Sequence, residues 1–207
     1  MSKLYIIGIG PGSEDYLTVK SKKIVDSVEV LMGSKRALKL FPESSAEKME
    51  LDPNDMQKSF KHALSLVQIG KSVALLSTGD PGFSGILKPV LNLSGSVDVE
   101  VVPGISSIQL CAAKLQIPWD DVNLITLHGK GVSDELLESL KNEKTTMVLP
   151  NFNVKEIALF LLENGVDPER EMAVCEKLSY PDERIVKIPL EKVMDEDFSY
   201  MCVMVIY

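Results

Sequence analysis

The chain has 207 residues, 45% hydrophobic and 25% charged, an ordinary globular mixture long enough to bury a real core as one large domain or two small ones. Its formal net charge of −8 argues against nucleic acid or anionic membrane as a general partner, although a local basic patch fits within that average. No apolar run approaches the roughly 20 residues of a membrane span, and Met1-Ser2-Lys3-Leu4 leads straight into a strand, so no signal peptide is expected.

Leu4 to Ile9 is apolar and rich in isoleucine, and Gly8-Ile9-Gly10-Pro11-Gly12 then turns the chain. A helix is expected from about Leu17 to Ser27 with Thr18 as N-cap, then a buried strand at Val28 to Met32. Gly33-Ser34-Lys35-Arg36 opens a helix to Leu40. Pro42 to Pro53 reads as polar and irregular. Asn54 or Asp55 can cap a helix over Met56 to Ile69, stopped by Gly70. The strand at Ser72 to Leu76 runs into the densest turn of the chain, Gly79-Asp80-Pro81-Gly82-Phe83-Ser84-Gly85, and a helix over Ile86 to Leu93. Glycine allows positive φ and close backbone approach, and proline fixes φ, so this turn shapes a pocket more readily than it fills a core. Val97 to Val102 is a further strand, followed by Pro103-Gly104-Ile105-Ser106-Ser107 and a helix to Leu115.

Strand, turn and helix therefore alternate, which predicts an α/β fold with a mainly parallel sheet covered by helices. Three glycine-rich turns, at 8–12, 79–85 and 103–107, follow three strands at their carboxyl ends, where ligands lie in open α/β sheets. Ile117-Pro118-Trp119-Asp120-Asp121 reads as a boundary between domains 1–117 and 118–207. The second is expected to carry a mixed sheet, with strands at 122–128, 145–149, 171–175, 183–188 and 200–207 and helices at 134–140 and 154–164.

Several motifs fail. A dinucleotide fingerprint needs glycine at position 13, where Ser13 stands; a P-loop needs Gly-Lys-Ser/Thr after Gly79; a nucleophile elbow on Ser84 needs glycine where Ile86 stands. With His62 and His128 as the two histidines and no CxxC or HExxH, no protein-built metal site is expected. His62 falls on the polar face of its helix, whereas His128 ends a strand before Gly129-Lys130-Gly131. Cys111, Cys175 and Cys202, far apart in sequence and odd in number, read as reduced, buried thiols of a cytoplasmic protein.

The segments Gly8-Ile9-Gly10-Pro11-Gly12, Gly79-Asp80-Pro81-Gly82-Phe83-Ser84 and Val102-Pro103-Gly104-Ile105-Ser106-Ser107 resemble the three successive motifs of the tetrapyrrole methylases. Gly33-Ser34-Lys35-Arg36-Ala37-Leu38, Leu127-His128-Gly129-Lys130 and Leu178-Ser179-Tyr180-Pro181-Asp182-Glu183-Arg184-Ile185 resemble the subgroup acting on C5 of cobalt-precorrin-7. The resemblance implies a two-domain enzyme with its active site in the interdomain cleft, S-adenosylmethionine as methyl donor and S-adenosylhomocysteine as product. It also implies a homodimer and a corrinoid substrate, with C15 methylation and decarboxylation left to a separate subunit. Pro11, Gly79, Asp80, Phe83, Ser106, Ser107, Leu149 and Leu178 become the expected cofactor contacts. Arg36, Lys130, Gly10 and Gly82 become the substrate contacts, and His128 the catalytic candidate, as proton acceptor or ring-orienting group. Asp80 could instead cap the following helix, Ser106 and Ser107 could be plain N-caps, and Lys35 could lie on a solvated face. Lys130 departs from the arginine common at its position, which exchanges a bidentate carboxylate clamp for a point charge. Same-fold methylases acting on another corrin carbon or a diphthamide precursor, and a non-catalytic S-adenosylmethionine-binding subunit, are the alternatives.

Overall fold

The computed structural model describes residues 2–127, 129, 131, 134–150 and 153–207. Its contacts divide the chain into two compact units, Met1–Ser106 and Ser107–Tyr207.

The first unit holds β1 (Leu4–Gly8), α1 (Val19–Val25), β2 (Val30–Gly33), α2 (Lys35–Leu38), β3 (Glu47–Glu50), α3 (Met56–Gln68), β4 (Val73–Ser77), α4 (Leu87–Ser94) and β5 (Val99–Val102). Its five strands form one parallel sheet in the order β3-β2-β4-β1-β5. The central strands read as apolar runs because both faces are covered, as expected of a parallel sheet. Leu4, Ile6, Val73 and Leu75 face a core with α3 and α4, while Ile7, Ala74 and Leu76 face a second core with α1 and α2. Full burial of each leucine, isoleucine or valine among them is worth about 2 kcal/mol.

The helix starts follow the capping signals. Thr18 Oγ1 accepts from Ser21 N at 3.0 Å, and Asp55 Oδ1 accepts from Lys58 N at 2.9 Å. One expectation is corrected. The polar stretch 42–53 contains β3, which pairs with β2 at the sheet edge. Its Glu47, Lys48 and Glu50 are exposed, and charge on an edge strand blocks pairing with another chain.

The second unit holds α5 (Ser107–Leu115), β6 (Asn123–Thr126), α6 (Asp134–Leu140), β7 (Thr146–Leu149), α7 (Val154–Glu163), β8 (Glu171–Glu176), β9 (Arg184–Pro189) and β10 (Cys202–Ile206). Its sheet order is β6-β7-β10-β8-β9, with β6 and β7 parallel and the other neighbours antiparallel, the mixed sheet expected. A short 3-10 helix at Leu190–Asp195, absent from the sequence reading, buries Leu190 and Val193 against α7. The sequence boundary was drawn after Ile117; the contacts divide the chain after Ser106, and α5 packs on β10. Cys111, Cys175 and Cys202 are free and buried, and burial pushes the Cys202 thiol up to about 12, which keeps it protonated and inert at neutral pH.

Candidate active site

The three glycine turns meet because their strands do. β4, β1 and β5 are consecutive and parallel in the first sheet, so the turns that leave them share one edge. α1 buries Ile24 and Val25 on one face, while α4 buries Val90 on the other. Neighbouring strands whose helices part to opposite faces open a crevice at their carboxyl ends.

Main chain joins the turns. Gly79 N donates to Gly10 O at 2.8 Å, Ile9 N donates to Ser77 O at 3.0 Å, and Gly10 and Gly79 form an isolated bridge. A Cβ on Gly8 would lie 2.4 Å from Gly104 N, and one on Gly104 would lie 2.3 Å from Gly79 O. No side chain fits at either place. The glycines of these motifs are thus fixed first by backbone packing between turns, before any ligand is considered. Ser21 Oγ, at the start of α1, donates to Gly8 O at 3.1 Å and ties the helix to the same turn.

Asp80 adds a side-chain tie. Its Oδ1 accepts from Gly82 N at 2.8 Å and its Oδ2 from Gly104 N at 3.1 Å, so one carboxylate holds two turns. It does not cap α4, which follows Ile86 without a side-chain cap bond. Each carboxylate oxygen keeps a further lone pair for a ligand.

Around this junction Gly10, Pro11 and Gly79 are buried, Asp80 and Phe83 half-buried, and Thr78, Gly82, Ser84 and Pro103 exposed. Arg36 is half-buried on α2, after β2, which neighbours β4; it therefore shares the sheet edge with the turns. Lys35 is exposed beside it. Ser106 is buried and directly precedes α5, whose first residue is Ser107. In the second unit Leu149 ends β7, half-buried, and Leu178 is buried in the β8–β9 loop. His128 and Lys130 lie outside the described residues. Gly8 and Gly104 carry no expected role from sequence, although each stands at or within two residues of a strand end in its motif, because the residue it packs against is distant in sequence.

In the β8–β9 loop, Glu183 accepts from Ser179 N at 2.8 Å and pairs with Lys114 Nζ at 2.7 Å. Burial opposes its charge, but the Lys114 ammonium and the Ser179 N–H outweigh it and hold the carboxyl below the usual carboxylate range. The buried Glu176 nearby accepts from Arg184 Nε and Ser199 N, and Arg184 stacks 5.3 Å over Phe198.

A parallel sheet whose carboxyl edge is closed by three interlocked glycine turns defines an open α/β protein, a class in which ligands lie outside the carboxyl ends of the strands. Residues 3–194 match the family described as Tetrapyrrole (Corrin/Porphyrin) Methylases; the chain belongs to that family and is a methyltransferase. A probable cobalt-precorrin-7 C(5)-methyltransferase of Methanocaldococcus jannaschii is 44% identical over 205 residues, spanning 98% of this chain and 96% of the relative. The cobalt-precorrin-7 C(5)-methyltransferase of Salmonella typhimurium is 30% identical over 206 residues, spanning 98% of each. The solved uroporphyrin-III C-methyltransferase of Thermus thermophilus, complexed with S-adenosylhomocysteine, is 25% identical with a TM-score of 0.77, covering 99% of this chain and 91% of that one. Among the described residues, no helix is long and apolar enough to cross a membrane.

Proposed function

We propose that this protein transfers a methyl group from S-adenosylmethionine to C5 of cobalt-precorrin-7, a step of corrin biosynthesis. The observation that carries the reading is the junction of the three turns through Gly10, Gly79, Asp80 and Gly104. Likeness to the two C5-methyltransferases over nearly the full chain supports the substrate.

The donor set at the junction fits the cofactor: peptide N–H and C=O groups suit adenine and ribose, and the Asp80 carboxylate suits a molecule bearing sulfonium and ammonium charge. Bound there, S-adenosylmethionine supplies a methyl on a leaving group that is already good, so the protein's task is alignment. Well-oriented reactants gain roughly 7–11 kcal/mol in this way. Pro11, Gly79, Asp80, Phe83, Ser106 and Ser107 are the proposed contacts; Leu149 and Leu178 enter as residues whose replacement weakens cofactor affinity. A corrinoid fringed with carboxylates needs local cations in so acidic a protein, and Arg36 and Lys130 are assigned to it, with the Gly10 and Gly82 main chain alongside. His128 takes the proton released at the ring or orients the ring. A homodimer, a cytoplasmic location and a separate C15-methylating decarboxylase belong to the same proposal and rest on the family resemblance.

Incubation with methyl-labelled S-adenosylmethionine and cobalt-precorrin-7, read by mass spectrometry and NMR of the product, tests the reaction. Label at C5 supports it; label at another carbon moves the chain to a sister activity, and no transfer in the presence of cofactor binding makes it a sensor. Arg36→Ala is expected to raise the KM for the corrinoid with cofactor affinity nearly unchanged, and His128→Ala with normal kcat would remove His128 from catalysis. Sedimentation at the mass of one chain overturns the dimer.

A further inference from the structure

The β8–β9 loop is held in a costly backbone shape. Lys177 has φ 47° and Ser179 φ 74°, both left-handed and neither glycine, on either side of the buried Leu178. Such residues persist only where the surroundings over-determine them, and strain of this kind clusters at ligand sites. Main-chain bonds wind the loop: Lys177 N donates to Met201 O at 2.8 Å, Tyr180 N to Lys177 O at 2.9 Å, and Glu183 N to Tyr180 O at 3.1 Å.

Glu183 locks it. The carboxylate oxygen that accepts from Ser179 N fixes one of the two left-handed residues, and the other oxygen pairs with Lys114 near the end of α5. The Glu183 side chain is 20% exposed, against 64% for Asp182, whose pair with Lys177 lies in solvent and is screened accordingly. Ser107 and Lys114 stand two helical turns apart and so share a face of α5. One carboxylate thus joins a strained loop carrying Leu178 to a helix that begins at Ser107. Ser107 and Leu178 are both proposed cofactor contacts; Glu183 is not among them.

We infer that Glu183 is a positioning residue for the methyl donor: paired with Lys114, it fixes the Leu178 loop and α5 in one arrangement. The inference rests on the S-adenosylmethionine reading above. Calorimetric titration of S-adenosylhomocysteine into the full chain, with thermal unfolding of the same samples, tests it on wild type, Glu183→Ala, Glu183→Gln, Lys114→Met and the Gln/Met double variant. Glu183→Ala is expected to raise Kd about tenfold, because it releases both the loop amide and the lysine. Glu183→Gln keeps an acceptor for Ser179 N and loses the ion pair, as does Lys114→Met; each is expected to raise Kd about threefold, and the double variant no more than either single change. The KM for S-adenosylmethionine follows Kd, while kcat at saturation stays near wild type.

A lowered Tm with Kd unchanged in the folded variants shows a purely structural carboxylate and overturns the inference. Should Glu183→Ala fail to fold, the Gln and Met variants decide by the same criterion, and additive effects in the double variant also count against it. Wild type that binds no S-adenosylhomocysteine removes the cofactor reading itself, whereas wild-type binding with undiminished binding by the variants removes only the role of Glu183.

Discussion

The two units shape their loops by opposite means. At the edge of the parallel sheet, glycines let three turns press main chain on main chain, with a Cβ on Gly104 excluded at 2.3 Å from Gly79 O. In the β8–β9 loop no glycine stands at the left-handed positions Lys177 and Ser179; their conformation is held by a carboxylate and a lysine from another element. The first device is chiefly steric, with the Asp80 carboxylate as an added tie, and its packed glycines are indifferent to pH and salt. The second is electrostatic and can be tuned by both.

Substitutions that remove each device separate the two. Gly104→Ala is expected to have the largest effect, about 3 kcal/mol of lost stability, because its methyl overlaps the backbone on both sides. Urea denaturation with an unchanged midpoint would mean that the turns do not touch as described. Asp80→Ala comes next: it strands the amides of Gly82 and Gly104, for about 2 kcal/mol, and Asp80→Asn, with one oxygen left, should recover part of that. Equal losses for the two variants would show that the carboxylate does not bridge the turns.

Acid should act on the second device and leave the glycine packing of the first untouched. Glu183 ionises more readily folded than unfolded, so its contribution is complete above the ordinary glutamate value of about 4.3 and is lost as pH falls through its lower folded value. Wild type should therefore lose more stability than Glu183→Gln between about pH 5 and pH 3, and parallel curves would remove the carboxylate from the account. The smallest effect is a gain. Gln116 follows α5 at φ 58° with Ile117 N bonded to Ala112 O, the left-handed helix end that glycine prefers, so Gln116→Gly should stabilise by about 0.5 kcal/mol. The reverse change at Gly10, φ 72° with Tyr16 O 2.8 Å from its missing Cβ, should destabilise.

What the sequence made legible follows the same division. The apolar strands and the capping residues Thr18 and Asp55 are local signals, as are the turns themselves, and the elements built on them stand within a few residues of expectation. β3 was hidden because Glu47-Lys48-Met49-Glu50 has no apolar pattern; its pairing with Val30 to Gly33 makes it a strand. Asp80 was read as cap or ligand, since sequence shows only neighbours, and its bond to Gly104 crosses 24 positions. Glu183 and Lys114 are invisible as a pair for the same reason, although Glu183 stands in a motif the sequence shows.

Because the three turns brace one another through peptide groups, with Asp80 and Ser21 as the side chains that tie them, the edge they build depends little on the other side chains around it. Exposed side chains beside the turns, such as Thr78, can therefore change while the main-chain frame stays in place. If the frame holds the methyl donor as proposed, the substrate side can be altered without rebuilding it.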